Sequence, residues 1–122
     1  MKLRVGDIYW FEVFYPKSDK SEIRPVVISE IEGSNIIIAT FATISTSEIE
    51  DFEGKYDKWK SPIFKWEDAG LKRASYVKAN CVAEVEGKAF YSEDYIGKMS
   101  KNDLKAVQRK IDEFIESDEE GW

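Results

Sequence analysis

Hydrophobic residues along this chain are concentrated in short runs that polar turns separate, a pattern typical of a protein built from short β-strands. The runs are rich in β-branched and aromatic residues, which favour extended backbone. They predict strands over residues 8–15, 24–29, 36–43, 60–66 and 74–85. The turn between the second and third strands contains Gly33 and Asn35, so we expect these two strands to pair as a hairpin. Pro62 interrupts the fourth, which favours an edge position in the sheet.

The segments between the predicted strands are polar or contain turn residues. They cover residues 16–22, 44–56, 67–70 and 91–99. We interpret the first as an exposed loop and the second as an acidic loop with room for one helical turn. The third is a turn, and the last is a short connection.

A different periodicity follows residue 100 and predicts one helix over residues 101–116. Ser100 is a good N-cap, and Asp103, three residues later, resembles the acidic partner of a capping box. Apolar residues recur at helical spacing at Leu104, Val107, Ile111 and Phe114. The helix is therefore expected to pack one face on the sheet.

These elements predict a mainly β fold, a small, strongly bent sheet or partly open barrel of short strands closed by a C-terminal helix. A chain of 122 residues with 43% hydrophobic residues suits a single domain with one core. We assign that domain to residues 1–116. Residues 117–122, which we call the acidic tail, follow the predicted helix.

The net charge of −6 is unevenly placed along the chain. Residues 111–122 contain six acidic residues and no basic one, so the first 110 residues carry 18 of each sign. Such a balanced body is compatible with a local basic groove, although most nucleic-acid-binding domains are more basic. A further hypothesis from charge is that the acidic tail folds over such a groove and weakens the binding of nucleic acid there.

The single cysteine, Cys81, excludes an internal disulfide and fits a reducing compartment. We identify no signal peptide at the start of the sequence and no apolar stretch of the roughly 20 residues that a membrane span needs. The sequence therefore predicts a cytoplasmic protein that does not contact a membrane.

Few residue patterns in the chain can carry chemistry. There is no histidine, no Cys cluster and no glycine-rich phosphate loop, so we expect neither a metal nor a cofactor. Arg24 begins the second predicted strand, directly before Pro25, a residue that suits a strand start, and before the apolar run 26–28, which we expect to be buried on both faces. A cation fixed at the start of a rigid strand suits an anion site, and pairing with a surface carboxylate is the alternative.

Several short motifs in order give a family resemblance. They are G-D-I-Y at 6–9, R-P-V-V-I at 24–28, W-E-D-A-G-L-K-R-A-S-Y-V-K at 66–78 and Y-I-G-K-M-S-K-N-D-L at 95–104. Together they resemble the PemK/MazF family of toxin endoribonucleases over about residues 6–115. The resemblance implies an SH3-like barrel of about five to seven strands, a homodimer, an acidic antitoxin partner and metal-independent cleavage of single-stranded RNA.

The resemblance also implies roles for individual residues. Arg24 matches the arginine of the family that acts in catalysis. The second catalytic position of the family is a threonine that closes the third long strand, and Thr43 is the nearest match, with Thr46 as a rival. Lys78 stands where the family usually has arginine, and lysine keeps the charge without the bidentate geometry.

RNA supplies its own nucleophile, the 2′-hydroxyl, so a cleaving protein needs only to stabilise charge and move protons. Arg24 and Thr43 are expected to bind the phosphate, and Asp19 or Glu22 is the candidate general base. The residues expected to contact the rest of the RNA are Lys17, Lys20, Lys78 and Asn80.

Two alternatives to a nuclease remain open, because one fold can serve several functions. One is a non-catalytic protein-binding module of the gyrase-poisoning CcdB type. The other is a degenerate family member that only binds an antitoxin.

Overall fold

The computed structural model describes residues 2–55 and 57–122. Its strands are β1 (Asp7–Phe14), β2 (Ser21–Glu32), β3 (Ile38–Ser45), β4 (Lys60–Pro62), β5 (Tyr76–Glu86) and β6 (Tyr95–Lys98), followed by the helix α1 (Lys101–Glu116). All strand pairs are antiparallel and form one sheet in the order β4-β5-β3-β2-β1-β6. The prediction of a mainly β fold with a C-terminal helix is confirmed, and the predicted hairpin is the β2–β3 pair.

The sheet has a hydrophobic core on each face because neighbouring residues of a strand point to opposite sides. The first core lies under α1 and includes Ile8, Val27, Ala42, Ile44, Val77, Val107 and Ile111. The second core includes Tyr9, Val13, Val26, Ile28, Phe41 and Phe90. Val26, Val27 and Ile28 have no exposed surface, so β2 is buried on both faces as its sequence predicted.

The two edges of the sheet approach each other through the turn that follows β4. A Cβ added at Gly97 in β6 would lie 2.1 Å from the carbonyl oxygen of Ala69, and one at Gly70 would lie 2.5 Å from that of Ile96. Only glycine permits such close backbone contact. This contact brings the turn after β4 against β6, as in a partly open barrel.

The helix α1 begins and ends at the predicted residues. The Oγ atom of Ser100 accepts a hydrogen bond from the Asp103 backbone N–H at 3.3 Å, which confirms the N-cap. The Asp103 carboxylate does not complete the capping box, because it accepts a hydrogen bond from the backbone N–H of Lys65 at 3.0 Å. It therefore ties α1 to the turn after β4.

The prediction that β2 begins at Arg24 was wrong. β2 begins at Ser21 because β1 pairs with it from Ser21 to Val27, with Trp10 opposite Pro25. β3 pairs with β2 only from Val26 onward. Pro25 therefore lies where β2 has a single neighbouring strand, a position in which a sheet tolerates a missing N–H.

Other boundaries also differ from the predictions. β3 extends to Ser45, and β4 has only three residues because the chain turns after Pro62; it is an edge strand, as predicted. β6 was predicted as a connection, and this short strand pairs with three residues of β1. Tyr56, within the predicted loop 44–56, lies outside the described residues. No helix in the described part of the chain is long and apolar enough to cross a membrane.

Candidate functional site

Three of the predicted site residues lie on one face of three adjacent strands. Thr43 in β3 is opposite Val26 in β2, and Arg24 lies two residues before Val26, so the Arg24 and Thr43 side chains share a face. On the other side of β3, Thr43 pairs with Lys78 in β5. The fold therefore brings together two cations and one hydroxyl that are far apart in sequence.

Arg24 is held by two neighbours on the β1–β2 side. Its Nε donates to the hydroxyl of Tyr15 at 2.9 Å and to the Glu22 carboxylate at 2.7 Å. Partial burial disfavours the charge, but hydrogen bonding and attraction from Tyr15 and Glu22 outweigh it and raise the pKa of Arg24 above its ordinary value. The guanidinium is therefore permanently charged and oriented, and its side chain is 36% exposed. The ion pair with a surface carboxylate, the alternative considered for Arg24, is present with Glu22.

A large bulge in β5 shapes the opposite side of the site. Ala42 pairs with Val82, but the next residue, Thr43, pairs with Lys78, so residues 79–81 have no partner in β3. The backbone N–H of Ala79 instead donates to the carbonyl of Trp59 at 2.9 Å. The bulge turns residues 79–81 away from the regular ladder beside Thr43.

Cys81 lies in this bulge, next to the pair that Thr43 and Lys78 form. Burial raises the pKa of its thiol, while the positive charges of Lys78 and Arg24 and the polar groups of Thr43 and Lys78 act in the opposite direction. The sequence analysis did not connect Cys81 with the site.

Thr43 is enclosed at this site, with 3% of its surface exposed. Ser45 lies two residues after Thr43 in β3, so it points to the same face, just beyond the last β2–β3 pair. The Ser45 hydroxyl accepts a hydrogen bond from the Ser47 backbone N–H at 3.1 Å. Ser45 is a candidate hydroxyl that the sequence analysis missed, although the two-residue strand period that links it to Thr43 was available.

Thr46, the rival of Thr43, lies elsewhere. It lines a cavity of about 360 Å³ with Trp10, Pro25 and Arg73. Trp10 and Pro25 are paired with each other, and because Pro25 follows Arg24 directly in β2, its side chain points to the opposite face of the sheet. The geometry thus groups Thr43, and not Thr46, with Arg24.

The residues predicted to contact RNA lie on both sides of Arg24. Lys17 and Lys20 are in the exposed loop between β1 and β2, and Lys17 forms an ion pair with Glu120 at 3.5 Å. Asn80 lies in the β5 bulge, where its Oδ1 accepts from the Cys81 thiol at 3.6 Å. Its carbonyl accepts from the backbone N–H of Trp122 at 3.3 Å.

Of the two predicted general bases, only Glu22 contacts Arg24, and Asp19 lies in the exposed β1–β2 loop. Tyr15, which fixes Arg24, is another residue that the sequence analysis did not connect with the site. Within residues 2–55 and 57–122, no group of three or more Cys, Asp or Glu side chains is arranged to hold a metal ion.

Comparisons with known proteins add a family and a fold. The family model described as "PemK-like, MazF-like toxin of type II toxin-antitoxin system" matches residues 4–115. No curated protein matches the chain. Among solved structures, the Mycobacterium tuberculosis toxin MazF-mt6 is similar with a TM-score of 0.62 and 18% sequence identity, over 95% of this chain and 99% of that one. At this identity the structural likeness concerns the fold alone.

Proposed function

Because the chain belongs to the family of PemK-like and MazF-like toxins of type II toxin–antitoxin systems, we propose that it is a metal-independent endoribonuclease that cleaves single-stranded RNA. The observation that carries the proposal is the grouping of Arg24, Thr43 and Lys78 on one face of three adjacent strands. An antitoxin is the partner that a toxin of this family is expected to have. We also propose a homodimer, which light scattering of the purified protein tests.

In the proposed reaction, the 2′-hydroxyl of one nucleotide attacks the adjacent phosphorus. A new bond forms between the 2′-oxygen and phosphorus, and the bond from phosphorus to the 5′-oxygen breaks. The 2′-hydroxyl loses a proton to a base, and the departing 5′-oxygen gains one. The products are a 2′,3′-cyclic phosphate and a 5′-hydroxyl.

Arg24 has the role of stabilising the negative charge that grows on the phosphate oxygens. Its Nε is already bonded to Tyr15 and Glu22, so these contacts fix the plane of the guanidinium before RNA binds. A pre-oriented cation requires little reorganisation when the charge develops, which is why such groups contribute strongly to catalysis.

Thr43 has the role of donating a hydrogen bond to the same phosphate and holding it in line for attack. Because Thr43 is enclosed, this role requires a local opening of the site. Ser45 is the alternative donor, since the strand register directs it to the same face as Arg24. Substitution of each hydroxyl separately distinguishes the two.

Glu22 is the better candidate for the base, because it is the carboxylate in contact with Arg24. A general base must lie within hydrogen-bond reach of the proton that it removes, and a phosphate bound to Arg24 brings the 2′-hydroxyl near Glu22. Lys17, Lys20 and Lys78 then contact neighbouring phosphates, and Asn80 contacts a base edge.

The test is incubation of the purified protein with single-stranded RNA in the presence of EDTA. We expect cleavage that falls about 100- to 1,000-fold in Arg24→Ala, because loss of one such charge-stabilising group costs about 2.7–4 kcal/mol. Arg109→Ala, which removes an exposed arginine on α1, is the matched control and should cleave like the parent protein. RNA that stays intact with the parent protein contradicts the proposal and favours a protein-binding module.

A further inference from the structure

The acidic tail does not extend into solvent after α1 ends at Glu116. The Oγ atom of Ser117 accepts a hydrogen bond from the Glu119 backbone N–H at 3.1 Å. Asp118 adopts a left-handed backbone conformation with φ of 58°, which is uncommon for a residue other than glycine. This turn sends the following residues back toward the β5 bulge.

Two ion pairs attach the acidic tail to lysines on either side of the site. Glu119 contacts the Nζ atom of Lys58 at 2.7 Å, with both side chains less than half exposed. Glu120 contacts the Nζ atom of Lys17 at 3.5 Å in a more exposed pair. Lys17 is one of the residues that we propose for RNA binding.

The last two residues contact the site itself. The Trp122 backbone N–H donates to the carbonyl of Asn80, and the indole ring packs edge-on against Tyr15 at 6.1 Å between ring centroids. Gly121 passes so close that an added Cβ would lie 2.7 Å from the Asn80 oxygen. Tyr15 is also the group that holds Arg24, so the acidic tail reaches the immediate surroundings of the catalytic cation.

We propose that the acidic tail is an autoinhibitory strap that competes with RNA for this surface. The Glu120 carboxylate pairs with Lys17, where a phosphate would bind. The Trp122 indole packs edge-on against Tyr15, an aromatic ring on which a base would stack. The inference rests on the proposed ribonuclease function, because it assigns a regulator to that same site.

The contacts of the strap hold it on the site, and they are weak enough for RNA to displace it. Exposed ion pairs contribute little in water, so the aromatic contact and the backbone hydrogen bond provide much of the attachment. The measured Kd for RNA then equals the intrinsic Kd divided by the fraction of molecules in which the strap is open. Any substitution that opens the strap strengthens RNA binding without altering the RNA site.

Two substitutions open the strap by different means. Trp122→Ala removes the contact with Tyr15, and Gly121→Ala forces the backbone away from Asn80 with no change in charge. Glu116→Gln is the control, since it removes one negative charge from an exposed position on α1. The probe is a short randomised single-stranded RNA with methylated 2′-hydroxyls, which binds without being cleaved.

We expect RNA to bind about three- to tenfold more tightly to Trp122→Ala and Gly121→Ala than to the parent protein, the effect of one lost aromatic contact or hydrogen bond. Glu116→Gln should leave the Kd within about twofold of the parent value. NMR chemical shifts of Asn80 and Tyr15 report, without RNA, whether each variant has released the strap.

The outcomes separate the strap from the nuclease. Released strap with unchanged RNA affinity, in a protein that cleaves RNA, overturns the strap and leaves the nuclease proposal intact. Equal strengthening in Glu116→Gln also overturns it, because the effect would then be general charge. A protein that neither binds nor cleaves RNA, even with the strap released, overturns the proposed function and the strap with it.

Discussion

The two faces of the sheet are covered by consecutive parts of the chain in different ways. On the first core, the 16 residues of α1 bury an apolar stripe that includes Val107 and Ile111. Beside the second core, the acidic tail is held by ion pairs, one backbone hydrogen bond and the partly buried ring of Trp122. We therefore expect α1 to be part of the folding unit and the acidic tail to detach without unfolding the protein. The type of contact, and not the position along the chain, decides which of these two segments stays in place.

The largest expected effect concerns α1, the helix that covers the first core. Ile111→Ala should lower the free energy of unfolding by about 2–5 kcal/mol, because it leaves a cavity between α1 and the sheet. Trp122→Ala, by contrast, should lower it by less than about 1.5 kcal/mol. Urea unfolding of both variants measures the difference. Equal losses would contradict the distinction between α1 and the acidic tail.

A smaller expected effect concerns the hydroxyls of Thr43 and Ser45, on the sheet face that the acidic tail contacts. Thr43→Val should lower RNA cleavage by about 100-fold or more, since it removes one donor to the phosphate while keeping the shape of the side chain. Ser45→Ala is the comparison, and its cleavage rate should stay close to the parent value. A loss in Ser45→Ala with full activity in Thr43→Val would assign the role to Ser45. Single-turnover cleavage assays on RNA separate these results.

The smallest expected effect is a dependence of stability on pH. Burial raises the pKa of Cys81 above its ordinary value of 9.0, so the unfolded chain loses this proton before the folded protein does. The contribution of this thiol to the free energy of unfolding should therefore be constant below about pH 8 and fall as the pH rises through the ordinary thiol range, by at most about 1.4 kcal/mol per pH unit.

Unfolding experiments at pH 8 and pH 10 test this expectation, with Cys81→Ala as the variant that lacks the thiol. The decrease in stability should be smaller in Cys81→Ala than in the parent protein. Burial also raises the pKa of Tyr9, with help from the charges of Asp7 and Tyr95, so part of the decrease should persist at higher pH. An identical decrease in both proteins would contradict the role of the thiol.

The sequence was informative wherever a short stretch determined its own structure. The Ser100 cap and the apolar spacing of α1 defined the helix to the residue, because capping and amphipathic periodicity are local properties. The β-branched run 26–28 identified a strand buried on both faces for a similar reason. Several short motifs in order, one of them around Arg24, also indicated the correct family from the sequence alone.

The sequence was less informative where distant segments decide the outcome. The bulge at residues 79–81 depends on the register between β3 and β5, and no local pattern specifies it. The Asp103 carboxylate does not form the predicted capping-box hydrogen bond. It accepts one instead from the backbone N–H of Lys65, which is far away in sequence. Short edge strands such as β6 have few residues to show a period, so that strand was missed.

The sequence by itself therefore determined the helix, the central strands and the match of Arg24 to the family motif, since neighbouring residues fix those features. Only the tertiary structure placed Thr43, Lys78 and Arg24 on one face of neighbouring strands, because that grouping depends on strand register. It also placed the acidic tail on Lys17, Asn80 and Tyr15, which the charge pattern had raised as a hypothesis without naming a contact. Contacts between distant segments arise from the packing of the whole chain, and no local stretch of sequence encodes them.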